Sequence, residues 1–480
     1  MRRRGAALLA LLLLGACSGK ERITVFATGR TQGRIQENAS GTGGFAVFKK
    51  LYDSQSGPKL ALDLGDWSSA TPVGRLSRGV CTADCVAAVP YSAAAVGMEE
   101  LALSPAELQT LAKAAGAPLL ASNLYLRGNR PADFLDRWTI LQAGGRKIGV
   151  FALLTASPSR PGARRYLPNY VLETETYEAE RAVKALHDSG AGLTIMLLGI
   201  NPSEHAGREY YRDFLSRLPR VDLVITDEPS LKEPFKVKRT WVVPAGLEMK
   251  AAARITLSLD QEGRLDGISY KLLPLSADKY GLDQGMLKII ARQQKSADAY
   301  FGRKLGFLDA PLPLRDGGDT PAADFAADCM RRWARANAAL LDLEEVAAPL
   351  SSGPVTLGDL YSSFPRDSNV VFVKIRGDDL SRALGAMDPK EMAVSGLRLF
   401  LRGGTFDRAE GDSGQLLPDR IYRLAVPDSM ARGRDNPVLS SAMEFANSRH
   451  LVRDMMRWCV SRQKSYGRPP GGRVVQDGTE

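Results

Sequence analysis

LALDLGDWSSATP (residues 60–72) is an apolar run that halts at Gly65-Asp66. The run has the character of a buried strand, and the Gly-Asp pair is the turn at its carboxyl end. Upstream, ITVFAT (23–28) has the β-branched content of another strand and passes straight into GRTQGRI (29–35). Downstream, SPAELQTLAKAAG (104–116) opens with a Ser cap, has Pro at the first helical position and Glu at the third, and stops on Gly, so a helix is expected. APLLASNLY (117–125) reads as a strand, and WTILQAGGRKIGVFALLT (138–155) as two strands around Gly144-Gly145. A helix over 174–189 stops at Gly190, and GLTIMLLGI (192–200) is apolar throughout, as a central strand is. A helix at about 203–217 and strands DLVIT (222–226), TWVVPAG (240–246) and AARITLSLD (252–260) complete a layered α/β domain.

The second half is organised differently. QGMLKIIARQQKSADAY (284–300) forms one helix, read as a linker over 281–302, and the Gly/Pro-rich LDAPLPLRDGGDTP (308–321) follows it. A helix at 321–339, short strands near 354–361 and 369–376, and an amphipathic helix at 377–386 build a second α/β unit. The expected order is a signal peptide at 1–17, a first domain at 20–280, the linker helix, a second domain at 303–470, and a tail at 471–480 whose end is mobile.

The bulk numbers fit two or three globular domains: 480 residues, 44% hydrophobic and 25% charged. The net charge is +10, and loss of Arg2, Arg3 and Arg4 with the signal segment leaves about +7. That suits an anionic lipid surface and is too dispersed for nucleic-acid binding; no nucleic-acid partner is expected. MRRRGAALLALLLLGAC (1–17) has a basic start, a short apolar run and Leu14-Gly15-Ala16-Cys17, which looks like a bacterial lipobox. Cys17 is therefore the expected lipid (palmitate) attachment site, and Ser18 after it favours the outer membrane, facing the periplasm. No later run of 18 apolar residues exists to span a membrane. Export permits disulfides. Cys81 and Cys85 are expected as a local disulfide or as two buried thiols, whereas Cys329 and Cys459 can pair only if their helices meet.

These strings, in this order, resemble the paired domains of the 5′-nucleotidase/UDP-sugar hydrolase (metallophosphoesterase) family over nearly the whole mature chain. ITVFATGRTQGRI is similar to its opening strand and turn, a His-Thr-Asn-Asp-x-His-Gly motif, and GGFAVFKKL (43–51) to its first helix. LALDLGDWSSATP is similar to the Gly-Asp motif, with no gap from Gly65 to Gly97-Met98-Glu99, where the family has Gly-Asn-His. PVTLGDLYSSFP (354–365) resembles the second domain's Pro-Ile-Thr-x-Gly-Asp-Leu-Tyr signature. The resemblance implies a metallophosphoesterase-like sheet sandwich flanked by helices, then a smaller α/β 5′-nucleotidase-like domain. It also implies nucleotide hydrolysis by two divalent ions, held by about four histidines, carboxylates and an asparagine.

This chain has three histidines. On the family pattern the opening His falls at Ala27, the first Asp ligand at Arg30 and the next His at Gln32, while the bridging Asp is kept as Asp66. The Asn-His pair becomes Met98-Glu99, Ser-His becomes Leu198-Gly199, and Gly-His-x-His becomes Asp227-Glu228-Pro229-Ser230. A guanidinium has donors only and is permanently cationic, so it cannot be a ligand. Arg30 is expected to pair with Asp66 and fill the old metal position with an ion pair. The alternative is a divergent hydrolase with one hard cation on Asp66, Glu99 and Glu228. His187 and His450 are expected on helices, and His205 follows the fourth motif without acting as a ligand. In the second domain the two base-stacking aromatics fall at Arg366 and Ser429, and the Gly-Gly-x-x-Arg loop at EEVAAPL (344–350); Gly433 and Asp435 remain as substrate-loop positions. Basic SRPGARR (159–165) and KEPFKVKR (232–239) read as exposed loops. The expected whole is a monomeric, cofactor-free, catalytically silent envelope lipoprotein serving as a binding or scaffold module. A structural surface protein with a packed cleft is a further class.

Overall fold

The computed structural model describes residues 21–477, apart from 39, 69–70, 156–164, 201–205, 413, 431–439, 441 and 464. Cys17, His205, Gly433, Asp435 and most of SRPGARR therefore lie outside the described residues. The chain divides into two units, Met1–Gln293 and Gln294–Glu480, and the division falls within the helix Gln284–Phe301.

Alternation along the opening strand Glu21–Gly29 sets the layering of the first unit. Ile23, Val25 and Ala27 point to one face and Phe26 to the other. The strand pairs in parallel with Lys59–Asp63 and antiparallel with Ala251–Leu259. The sheet runs Leu265–Pro274, Ala251–Leu259, Glu21–Gly29, Lys59–Asp63, Ala93–Ala95, Leu119–Leu120, with Gly246–Leu247 joined beside the opening strand. A second, six-stranded sheet is centred on Leu193–Ile200, paired in parallel with Arg146–Thr155 and Leu223–Thr226. Ile23, Val25 and Leu62 of one sheet share a dry core with Val150, Ile195 and Leu197 of the other. The outer faces are covered by helices: Phe26 meets Phe48 and Tyr52 of Phe45–Ser54 edge-on, and Met196 and Leu198 pack on Glu175–Asp188 and Arg208–Ser216. Burial of one such large side chain contributes about 1.5–3 kcal/mol, so this outer layer is a main source of stability.

The second unit has a five-stranded sheet, Met392–Ser395, Ala338–Asp342, Ile421–Pro427, Asn369–Arg376, Glu444–Leu451. A four-stranded sheet joins Gly414–Gln415, Thr405–Gly411, Leu397–Arg402 and Val474–Asp477. Helices Pro321–Ala334, Leu357–Ser363 and Val452–Val460 pack on one side of the larger sheet.

Both units are mixed α/β, as expected. The helix read at 104–116 is Pro105–Ala114 with its capping box formed, and the Gly144-Gly145 hairpin joins Trp138–Ala143 to Arg146–Thr155. Four local expectations are corrected. The strand read at 117–125 breaks into Leu119–Leu120 and Leu124–Leu126, because the Asn123 side chain turns inward to bond the backbone of Leu154 and Glu173. The strand read at 354–361 is Gly353–Thr356 only; Thr356 and Asp359 form a capping box that starts the helix Leu357–Ser363. The helix read at 321–339 stops at Ala334, where Arg335 turns left-handed (φ 49°). His450 lies in the strand Glu444–Leu451, edge-on to Trp333 at 5.4 Å, and not in a helix. Of the tail, Val474–Asp477 adds a parallel strand to Leu397–Arg402, and its end at 478–480 lies outside the described residues.

The cysteines are also reassigned. The disulfide is Cys329–Cys459, with a Cα–Cα distance of 5.6 Å, because the helices Pro321–Ala334 and Val452–Val460 pack together. Cys81 and Cys85 are buried free thiols on Val80–Ala88, which selects one of the two alternatives open in the sequence and removes the local disulfide.

Candidate functional site

Every motif position of the first unit sits at or just beyond the carboxyl end of a parallel strand: Arg30 after Glu21–Gly29, Asp66 after Lys59–Asp63, Glu99 after Ala93–Ala95, and Asp227-Glu228 after Leu223–Thr226. Parallel strands deliver their following turns to one edge, where α/β proteins build sites. The turns are tight. Arg30 (φ 47°), Gln32 (φ 53°) and Asp66 (φ 58°) are all left-handed, a conformation that costs non-glycine residues energy and marks over-determined positions. A Cβ on Gly97 would lie 2.2 Å from the Asp66 nitrogen, so the Gly65-Asp66 and Gly97 turns fit only with glycine there.

Arg30 is buried, 7% exposed, and its Nε donates to Asp227 Oδ2 at 3.0 Å while Nη2 donates to the carbonyl of Ile200 at 3.1 Å. The expected partner was Asp66, and that is corrected: the ion pair is Arg30–Asp227. Asp227 is also held by the Ile200 N–H on Oδ1 at 2.8 Å. The left-handed turn at Arg30 aims its side chain across to the second sheet, toward the strand end carrying Asp227.

Asp66 is fully buried. Its Oδ1 accepts the Glu99 N–H at 2.9 Å, and its Oδ2 has no hydrogen-bond partner among the described residues. Burial raises its carboxyl well above the usual range, and the nearby charges of Glu100, Asp227 and Glu99 raise it further. Glu99 meets Gln32 Nε2 at 3.5 Å, so two positions where the resembled family has imidazoles lie side by side. Glu228 accepts backbone N–H groups from Ala206 at 2.8 Å and Ser230 at 3.0 Å.

Two residues of the site were not singled out in the sequence. Glu100 is 1% exposed and takes three backbone N–H groups, from Asp66, Trp67 and Gly97, at 2.8–2.9 Å. It ties the two motif turns together, and burial pushes it up to about 7 against the pull of those donors. Asp63 accepts from Thr28 Oγ1, the Gly65 N–H and Trp67 Nε1, and burial pushes it up to about 6. The doublet Glu99-Glu100 offered only a faint sign that one acid faces inward.

The raised Asp63 has a definite consequence for stability. In the unfolded chain it titrates near 3.8, and in the fold near 6, so between those values the native state binds more protons. Its contribution is fully present below about 4 and is lost as pH rises through 6. Asp63→Asn keeps all three contacts, since its amide can donate to Thr28. Relative to wild type, this variant is expected to gain about 2 kcal/mol between pH 4.5 and pH 8. A wild-type-to-variant difference in urea unfolding that does not change with pH would contradict this.

The donor set does not suit two metal ions. On the pattern of the family that the sequence resembles, Arg30 falls at the first Asp ligand and Gln32, Glu99, Gly199 and Ser230 at imidazoles, and both Glu228 oxygens already bind backbone N–H groups. Among the described residues no group of three or more His, Cys, Asp or Glu is placed to hold an ion. His187 is exposed on its helix.

The second unit brings its expected positions together without an aromatic pair. Ser429 and Ser368 both donate to Glu345 Oε1 at 2.7 Å, and Glu345 is 1% exposed. Arg366 pairs with Glu344 at 2.6 Å on the surface. The segment 344–350 thus lies beside 366 and 429, as the resemblance implies, but presents carboxylates there.

Residues 304–441 match the family described as 5′-nucleotidase, C-terminal domain. A putative 5′-nucleotidase from Staphylococcus aureus superposes with a TM-score of 0.69 at 14% identity, covering 92% of this chain and 97% of that one. The 5′-nucleotidase precursor of Thermus thermophilus gives 0.65 at 19% identity, covering 96% and 100%. Among curated relatives, the endonuclease YhcR of Bacillus subtilis is 20% identical over 414 residues, covering 80% of this chain but 34% of its own length. An apyrase of Aedes albopictus is 23% identical over 491 residues, covering 89% of this chain and 85% of that one.

Proposed function

We propose that this chain, a divergent member of the 5′-nucleotidase-like metallophosphoesterase family with the two-domain architecture of that family, is a catalytically silent binding or scaffold module anchored by lipid to the bacterial envelope. Members of the family typically depend on divalent metals. The observation that carries the proposal is the buried Arg30–Asp227 pair at 3.0 Å. A fixed positive charge on the protein stands where a ligand carboxylate would be, and it repels the cations that the ancestral chemistry needs. The changed aromatic positions at Arg366 and Ser429 support the same reading, because base stacking needs rings.

The reading is tested with purified full-length chain, 5′-AMP and a chromogenic phosphate ester in Mn2+, Co2+ or Zn2+. No turnover above the protein-free control is expected. Turnover that disappears in Asp66→Ala would reverse the proposal. The rival, one hard cation on Asp66, Glu99 and Glu228, draws on the unsatisfied Asp66 Oδ2. Elemental analysis of the purified chain separates the two, with less than one equivalent of metal expected. The anchor at Cys17 is checked by palmitate labelling, which Cys17→Ala is expected to abolish.

A further inference from the structure

A cleft of about 840 Å3 opens in the second unit, within the size range of small-molecule sites. Its walls are helix Pro321–Ala334, the turn between Met392–Ser395 and Leu397–Arg402, and the arm formed by residues 466–473. Arg331, Arg332, Arg398, Arg468 and Arg473 line it, against three carboxylates. The arginines are not equivalent. Arg473 is committed to the fold by two hydrogen bonds to Asp328, at 2.9 and 2.8 Å. Arg468 pairs with Asp316 at 2.6 Å, and Arg331 reaches Asp412 at only 3.5 Å, with that carboxylate 79% exposed. Such a pair contributes little.

Arg332 and Arg398 have no carboxylate within 4 Å among the described residues. Each lies over a ring, Arg332 over Tyr466 at 5.6 Å and Arg398 over Phe400 at 5.5 Å. Arg332 also donates from Nε to the Asp328 carbonyl at 3.3 Å and from Nη2 to the disulfide sulfurs of Cys459 and Cys329 at 3.4 and 3.7 Å, and its Nη1 has no partner among the described residues. Among the described residues Arg398 hydrogen-bonds through Nε alone, to the Gly472 carbonyl at 3.1 Å. Its two Nη groups remain available in a preorganised fork, the geometry that suits phosphate oxygens. The arm that closes the site is fixed. The Gly472 N–H donates to Asp319 at 2.8 Å, Arg473 donates to the Val394 carbonyl at 2.7 Å, and a Cβ on Gly471 would sit 1.9 Å from Asp319. Buried Phe325 and Tyr466, edge-on at 5.4 Å, supply apolar surface beside the charges.

We infer that this cleft binds a multiply charged anion of the phosphate class, gripped by Arg332 and Arg398 with Arg331 in support. The site lies wholly in the second unit and stands whether or not the first unit is silent.

The test is titration calorimetry of the purified full-length chain with inorganic pyrophosphate, together with flotation on phosphatidylglycerol and phosphatidylcholine vesicles. One pyrophosphate per chain is expected, weakened roughly tenfold or more in R332A/R398A and strengthened a few-fold in D412N, which frees Arg331. Both changes are at exposed side chains, and an unchanged melting temperature confirms folding. Binding to phosphatidylglycerol vesicles alone, lost in R332A/R398A, would support the site and identify a lipid headgroup as the source of the phosphate. No binding to either probe overturns the inference. So does binding that R332A/R398A leaves intact, or, should that variant misfold, an affinity unchanged in D412N.

Discussion

Arg30→Met is expected to destabilise the first unit by about 3–5 kcal/mol, because it leaves the Asp227 carboxylate buried without its counter-charge. Asp227 is 2% exposed and keeps backbone N–H groups, from Ile200 and its own, but no counter-charge among the described residues, while the Ile200 carbonyl loses its donor. The loss should shrink as pH falls, since burial already raises the Asp227 carboxyl and removal of Arg30, which lowers it, lets it protonate sooner. Adding Asp227→Leu to Arg30→Met should restore most of the stability, because a buried pair replaced as a whole costs little. Urea unfolding of the two variants at pH 7.5 and pH 5 measures all three effects. A loss under 1 kcal/mol for Arg30→Met would mean that the pair is not the support of this edge.

The second large effect concerns the other unit. Cys329 and Cys459 are 130 residues apart, so their bond closes most of the second unit into one loop. On the chain-entropy account, C329A/C459A is expected to lose about 5 kcal/mol. The first unit contains neither cysteine, and its transition should stay in place while the second unit's moves down. Alkylation without reductant should label Cys81 and Cys85 in unfolded protein, and Cys329 and Cys459 only after reduction. Labelling of Cys329 before reduction would refute the pairing.

Much of the fold was legible because its signals are local. Ser104-Pro105 with Glu107 is a capping box in the sequence and in the structure. The apolar run 192–200 reads as a central strand, and Leu193–Ile200 is one. The misjudged elements failed where a single side chain overrode propensity: Thr356 starting a helix inside an apparent strand, and Asn123 breaking another. At the site, the absence of imidazoles was legible position by position, whereas Glu100 was not. An isolated acid says nothing of its burial until three backbone N–H groups converge on it.

The sequence by itself determined which chemical groups stand at each strand end: a guanidinium, an amide and carboxylates, where the resembled family has a metal-binding set. Residue identity is a local property, and strand ends can be located from pattern. Only the tertiary structure decided partners. Arg30 could have met Asp66, and meets Asp227, because a left-handed turn sends its side chain across to the second sheet. The cysteine pairing, the docking of the tail as a strand and the arginine-lined cleft it closes arise in the same way. Each joins segments far apart in the chain, and such contacts are fixed by packing of whole elements rather than by the residues that finally touch.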